Sequence, residues 1–173
     1  MPMLSRIKRI FMAESQFRIS RRASTLPIVI DETLRKLSVL VVDDVPHSQR
    51  WVCELLVSLG ISPLLAADGA EAVAVARERR LDLILMDIHM PVLDGPGATR
   101  KIRQHEAEVS RRRVPVVACT SIGAHAAYLR DSGMDGVLHK PCHPSDLHAC
   151  LAQWCTRPQR LSSPGPLVLA GCH

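Results

Sequence analysis

Carboxylate, hydroxyl and ammonium side chains directly follow several short apolar runs of this sequence. In an open sheet of parallel strands, the carboxyl ends of the strands meet at one edge, and reactive groups gather there. We therefore expect these side chains to lie close together although they are far apart in the chain. The residues concerned are Asp43, Asp44, Asp87, Thr120 and Lys140.

Three carboxylates at one edge repel each other, which favours the binding of a small divalent cation with oxygen ligands. Mg²⁺ is the cation that we expect there. A carboxylate beside Mg²⁺ and a lysine is suited to attack a phosphoryl group in line and to become an acyl phosphate. On this reasoning Asp87 is the nucleophile and Lys140 neutralises the oxygens of the transferred group.

The positions of these residues depend on five apolar runs that alternate with helical patterns, which is typical of a parallel sheet with helices on both faces. Apolar residues at spacings of three and four predict helices between the runs. The predicted strands are residues 37–42, 63–67, 81–86, 114–119 and 136–138.

Length and charge divide the 173-residue chain into three parts. We predict a folded unit at residues 36–155, a basic leader that is flexible or a linker at residues 1–35, and a disordered Pro/Gly/Ser-rich tail at residues 156–173. Residues 1–36 hold eight Lys/Arg and three Asp/Glu, which accounts for the whole net charge of +5. With 3% aromatic residues, a basic groove with stacking platforms for nucleic acid is not expected.

Several other classes of protein are disfavoured by composition. The longest apolar stretch is far shorter than the roughly 20 residues of a membrane-spanning helix, and no secretory signal is visible. The six cysteines would suit a disulfide framework only in a much smaller, loop-rich chain, so we interpret them as reduced thiols of a cytoplasmic protein. They also lack zinc-ligand spacing. The 18 residues after Cys155 are too few for a DNA-binding module.

Four segments of the sequence together resemble the receiver domain of two-component response regulators. They lie in family-like order and spacing within residues 36–155, and each lies at the end of a predicted strand. The segments are Val41-Val42-Asp43-Asp44, Leu85-Met86-Asp87-Ile88-His89-Met90-Pro91-Val92-Leu93-Asp94-Gly95, Ala118-Cys119-Thr120-Ser121 and His139-Lys140-Pro141.

The resemblance implies a (βα)5 fold, a doubly wound five-stranded parallel sheet with the flavodoxin-like strand order 2-1-3-4-5. It implies that Asp87 is the phosphoacceptor. It also implies that Mg²⁺ is held by Asp43, Asp44, Asp87 and the backbone carbonyl of His89. The His89 side chain is expected at the mouth of the pocket, where it tunes hydrolysis.

The remaining roles concern Thr120 and Lys140. Thr120 resembles the switch hydroxyl, and Lys140 resembles the lysine that pairs with the phosphoryl group and precedes a cis proline. One departure is Val137, which stands three residues before the lysine where family members often carry Tyr or Phe. The resemblance therefore leaves open how phosphorylation is transmitted.

The implied function is that of a phosphorylation-dependent switch in a bacterial phosphorelay rather than of an enzyme with turnover. A histidine kinase or histidine phosphotransfer protein is the expected donor, and a downstream protein is the expected target. The chain is either a single-domain regulator or the receiver portion of a hybrid histidine kinase. The alternatives are a phosphoaspartyl-type hydrolase and a receiver-like scaffold that is never phosphorylated.

Two basic features are not used by this function. Arg111, Arg112 and Arg113 directly precede the fourth predicted strand, at the end opposite the acidic edge. We favour a solvated loop over a partner-binding patch for them. The leader could form a weak basic amphipathic helix, but an unstructured linker is at least as well supported, and no function is assigned to it.

Overall fold

The computed structural model describes residues 34–121, 126–155 and 168–170. Strands and helices alternate after a short 3-10 turn at Leu34–Lys36. In chain order they are β1 Val39–Val42, α1 Pro46–Ser58, β2 Leu64–Ala66, α2 Gly69–Glu78, β3 Leu83–Asp87, α3 Gly95–Glu108, β4 Val116–Thr120, α4 Ala126–Asp131, β5 Gly136–His139, α5 Pro144–Cys155 and β6 Val168–Ala170.

All neighbouring strands of the sheet are parallel, in the order β2-β1-β3-β4-β5-β6. The predicted class and the predicted order of the first five strands are therefore confirmed. The central strands β1 and β4 are buried along their whole length. This burial is typical of parallel strands that are covered by helices on both faces.

Alternate residues of the central strands enter two separate apolar cores, because successive side chains of a strand point to opposite faces. On one face, Val41 and Leu85 pack with α1 and α5. On the other face, Leu40 and Ile84 pack with α2, α3 and α4. This double burial fixes the register of the strands and therefore the positions of the residues that follow them.

Local side-chain hydrogen bonds cap the N-termini of two helices, α2 and α3. The Asp68 carboxylate caps α2 by accepting hydrogen bonds from the backbone N–H groups of Ala70 and Glu71, and the Glu71 carboxylate accepts one from the Ala67 N–H. Asp94 caps α3 by accepting a hydrogen bond of 2.7 Å from the Gly97 N–H.

The two ends of the folded unit differ from the prediction. Leu34 is buried against the core on the α1 and α5 side, so ordered structure begins within the predicted leader. Residues 168–170 of the predicted disordered tail form β6, which pairs with β5. Pairing satisfies backbone groups that the edge of β5 would otherwise expose. The other residues of the leader and the tail lie outside the described residues.

No helix among the described residues is both long enough and apolar enough to cross a membrane.

Candidate functional site

Three carboxylates meet at the carboxyl edge of the sheet. Asp43 and Asp44 follow β1, and Asp87 is the last residue of β3. The register pairs Val42 with Met86, which places Asp43 beside Asp87. One carboxylate oxygen from each aspartate lies within 4.8 Å of the others. The convergence predicted from the sequence is thus present in the structure.

Lys140 supplies the positive charge within this cluster. It follows β5, and its backbone N–H donates to the Thr120 carbonyl at 2.8 Å. Its Nζ donates to Asp43 Oδ2 at 2.6 Å and also to Asp87 Oδ2. The Lys140-Pro141 peptide bond is cis, as the resemblance implied.

The environment of Lys140 keeps its ammonium group protonated. Burial alone would lower the pKa of Lys140, but hydrogen bonds and charges from Asp43 and Asp87 more than offset this effect. The net result is a raised pKa for Lys140. The three groups therefore form an electrostatic unit in which one cation is shared by two acids.

Asp43 is the most firmly held of the three carboxylates. It is buried, and it accepts hydrogen bonds from the Val45 backbone N–H at 2.9 Å and from the Ser48 hydroxyl at 2.6 Å. The Gln49 amide donates to the Asp43 carbonyl and, at 2.8 Å, to the Ala66 carbonyl, which connects α1 to β1 and β2. Asp44 is exposed at the rim.

The contributions of Ser48 and Gln49 to this site were missed by the sequence analysis. Their only sequence signal is their position near the start of α1, four and five residues after Asp44. Since a hydroxyl or amide near a helix start is common, this signal alone does not single them out. They fix the orientation of Asp43.

Thr120 is the last residue of β4 and is buried. It pairs with His139 of β5 and lies one residue beyond Cys119, which pairs with Asp87. The structure therefore brings Thr120 to the same edge as the carboxylates and Lys140. This position is compatible with the role of a switch hydroxyl, which stays a prediction.

The loop from β3 to α3 surrounds Asp87 with backbone groups. The exposed His89 donates its backbone N–H to Asp87 Oδ1 at 3.3 Å. The Gly95 N–H donates to the Ile88 carbonyl at 3.0 Å. A Cβ atom on Gly95 would lie 2.1 Å from the Asp87 carbonyl oxygen, so this close approach requires glycine.

The remaining predictions concern Val137 and the cysteines. Val137 is buried on the sheet face that packs against α2, α3 and α4. Among the described residues, the five cysteines are free thiols, and all but Cys155 are buried. Burial raises the pKa of Cys142 to about 11 and that of Cys150 to about 12, so both thiols are neutral near pH 7.

Comparison with known proteins assigns the family. The family model of the response regulator receiver domain matches residues 39–152. The chain belongs to this family. It is a receiver domain of the histidine kinase and phosphorelay systems, as the sequence segments had indicated.

Relatives of this receiver domain include domains of hybrid kinases. It is 36% identical over 147 residues to the sensor protein GacS of Pseudomonas syringae pv. syringae, and the match covers 76% of this chain and 16% of GacS. It is also 37% identical over 117 residues to hybrid signal transduction histidine kinase G of Dictyostelium discoideum, covering 65% of this chain and 3% of that protein. The chain thus spans a small part of these relatives. Since Dictyostelium is not a bacterium, bacterial origin stays a prediction.

Among solved structures, the receiver domain of sensor histidine kinase PA1611 from Pseudomonas aeruginosa PAO1, with a magnesium ion coordinated in its active site cleft, is 38% identical with a TM-score of 0.63. This match covers 70% of this chain and 98% of that chain.

Proposed function

We propose that this receiver domain accepts a phosphoryl group on Asp87 from a phosphohistidine. The observation that carries the proposal is the contact of one ammonium group with both Asp43 and Asp87. A phosphoryl acceptor needs a nucleophilic oxygen, a cation for the transferred oxygens and neutralisation of nearby negative charge. The described side chains supply all three.

The transfer step follows from the chemistry of a carboxylate nucleophile. An Asp87 oxygen forms a bond to phosphorus while the N–P bond of the phosphohistidine breaks, and the imidazole leaves with its electron pair and takes up a proton. The Lys140 ammonium, already bonded to Asp87, pairs with the transferred oxygens. Water later cleaves the acyl phosphate and returns Asp87 to a carboxylate.

The residues at the site fit Mg²⁺. Three carboxylate oxygens within 4.8 Å of each other are the hard ligands that this cation prefers. Asp43, Asp44, Asp87 and the His89 carbonyl would hold it. When bound, Mg²⁺ neutralises the oxygens of the phosphoryl group in transit. The buried hydrogen bonds of Asp43 hold its carboxylate in place for this role.

The domain acts as a switch that is modified once per signal. We propose Thr120 as the hydroxyl that turns towards the phosphoryl group, because it is buried at the same edge. The donor is a histidine kinase or a histidine phosphotransfer protein in the cytoplasm. A receiver domain similar to this chain, that of Ssk1 from Saccharomyces cerevisiae, was solved with the histidine phosphotransfer protein Ypd1. That match has 32% identity and a TM-score of 0.64, and covers 69% of this chain and 89% of that chain.

Output passes through contact with a downstream protein. The whole protein is either a single-domain regulator or a hybrid histidine kinase of which this chain is the receiver portion. A hybrid histidine kinase agrees with the small share of GacS that the chain spans.

The experiment is incubation with acetyl phosphate, with and without Mg²⁺, followed by a gel that retards phosphorylated protein. We expect a retarded band that requires Mg²⁺ and is absent from Asp87→Ala. The matched control is Asp131→Asn, which removes an exposed carboxylate at the end of α4 and should leave the band unchanged. A band that persists in Asp87→Ala contradicts the assignment.

Two further outcomes identify the alternatives. No band in the wild-type protein with Mg²⁺ indicates a receiver-like scaffold that is not phosphorylated. Many turnovers of phosphate release per protein, without a retained band, indicate a hydrolase.

A further inference from the structure

Five arginines surround a cleft at the end of the sheet opposite Asp87. The cleft lies between the C-terminal ends of α2 and α3 and has a volume of about 480 Å³. It adjoins the amino ends of β3 and β4. Since β3 has five residues, the cleft is roughly 16 Å from the carboxylates. The arginines of this arginine cleft are Arg79, Arg80, Arg111, Arg112 and Arg113.

Among residues 34–121, 126–155 and 168–170, three of these arginines have no carboxylate partner. Arg79 and Arg80 are exposed, and their side chains make no hydrogen bond or ion pair with the described part of the chain. Arg111 donates from Nη1 to the carbonyl oxygens of Ala76 at 2.9 Å and Arg77 at 3.1 Å. These bonds hold the Arg111 guanidinium at the end of α2 without neutralising its charge.

The two acidic residues that line the cleft are already used by the fold. Asp82 Oδ2 accepts a hydrogen bond from the Ser38 N–H at 2.9 Å. Glu106 is buried and binds the Arg103 guanidinium at 2.8 Å and the Val114 N–H at 2.7 Å. Glu106 is therefore neutralised by Arg103, and Asp82 keeps one negative charge, so the five arginines of the rim still leave an excess of positive charge among the lining residues.

We propose that the arginine cleft binds a soluble ligand of nucleotide size that carries two or more phosphate groups. Guanidinium groups bind phosphate through paired, charge-assisted hydrogen bonds. The volume lies within the range of about 300 to 1,000 Å³ that is typical of small-ligand pockets. Leu81, Ile102 and Val114 also line the cleft and offer an apolar surface to the non-phosphate part of the ligand.

The occupant comes from outside the given chain, because both flanking segments are basic. Residues 1–33 hold six Lys/Arg and three Asp/Glu, and residues 156–173 hold two arginines and no acidic residue. A concave cleft also suits a small anion better than a nucleic-acid duplex, and among the described residues no Phe, Tyr or Trp lines it for base stacking.

The test is calorimetric titration with adenosine triphosphate in the presence of EDTA, so that no metal at the acidic edge attracts the phosphates. We expect saturable binding that Arg79→Gln/Arg80→Gln weakens by roughly tenfold or more. The matched control is Arg100→Gln/Lys101→Gln, which removes the same charge from exposed positions of α3 outside the cleft. Thermal unfolding of both variants should match that of the wild-type protein.

A second titration with inorganic tripolyphosphate distinguishes the sources of phosphate. Tighter binding of adenosine triphosphate supports a nucleotide, and equal binding supports recognition of the phosphate chain alone. The proposal is overturned if neither probe shows saturable binding. It is also overturned if Arg79→Gln/Arg80→Gln binds the probes as tightly as the control Arg100→Gln/Lys101→Gln. It is also overturned if single-stranded DNA binds much more tightly than either probe, since the surface would then be a nucleic-acid site.

Discussion

Lys140 is the cation that neutralises the acidic edge, and replacing it with methionine tests that role. Lys140→Met keeps the length of the side chain but removes its charge and its hydrogen bonds to Asp43 and Asp87. The three side chains are 17%, 3% and 13% exposed for Lys140, Asp43 and Asp87. Solvent therefore screens their interaction only weakly.

The size of the effect follows from this burial. Removing one partner of a buried ion pair typically costs about 3 to 5 kcal/mol, because the other charge is left uncompensated. Asp43 retains its hydrogen bonds from Val45 and Ser48, so we expect the lower value, about 3 kcal/mol. In urea this corresponds to a midpoint lower by about 1 to 3 M.

The assay is urea unfolding in EDTA and in Mg²⁺, with Lys101→Met as the control. Lys101 is exposed and has no ion pair among the described residues, so its replacement should change the free energy of unfolding by less than about 0.5 kcal/mol. Mg²⁺ should stabilise Lys140→Met more than the wild-type protein, because the metal then supplies the missing counter-charge. The shared-cation arrangement would be refuted if Lys140→Met and Lys101→Met lost the same free energy of unfolding. It would also be refuted if Mg²⁺ stabilised Lys140→Met and the wild-type protein equally.

Three further predictions concern the fold. Gly95→Ala brings a methyl carbon to 2.1 Å from the Asp87 carbonyl oxygen, so urea unfolding should show a free energy of unfolding lower by about 1 to 3 kcal/mol. An unchanged urea midpoint would count against this contact. Arg103→Met should cost about 3 kcal/mol in the same assay, because it leaves a buried carboxylate without its cation. The Arg113 side chain is 49% exposed, so Arg113→Met should lower the free energy of unfolding by less than about 1 kcal/mol. A larger loss in Arg113→Met than in Arg103→Met contradicts the burial argument. Burial raises the pKa of Cys150 to about 12. The unfolded chain therefore loses this proton at lower pH than the folded chain, and stability falls as pH rises from about 9 towards 12. The loss of stability between about pH 8 and about pH 10 should be smaller in Cys150→Ala than in the wild-type protein. Equal losses in the two proteins contradict the raised pKa of Cys150.

The strands could be predicted because their signals are local, whereas their order was implied by the family resemblance. Apolar runs such as residues 81–86 predict buried strands, and the polar residue that ends each run lies at the carboxyl edge of a parallel sheet. Asp87 and Lys140 could therefore be placed together before any coordinates were known. The burial of Val137 in the sheet is also expected from its place in the fifth apolar run.

Other features depend on contacts that no local pattern encodes. β6 has only three residues and lies in a segment rich in Pro, Gly and Ser, so its pairing with β5 has no periodic signal. The hydrogen bond from Ser48 to Asp43 depends on how α1 leaves β1. Arg79 and Arg111 are far apart in sequence, and only the packing of α2 against α3 brings them to one cleft.

The central claim is that Asp87 carries the phosphoryl group. The most direct measurement is reduction of the acetyl phosphate-treated protein with borohydride, which converts an aspartyl phosphate to homoserine, followed by mass spectrometry of its peptides. We predict homoserine at position 87, formed only when Mg²⁺ is present. Homoserine at position 43 or 44, or a reduction product that forms without Mg²⁺, would contradict the assignment.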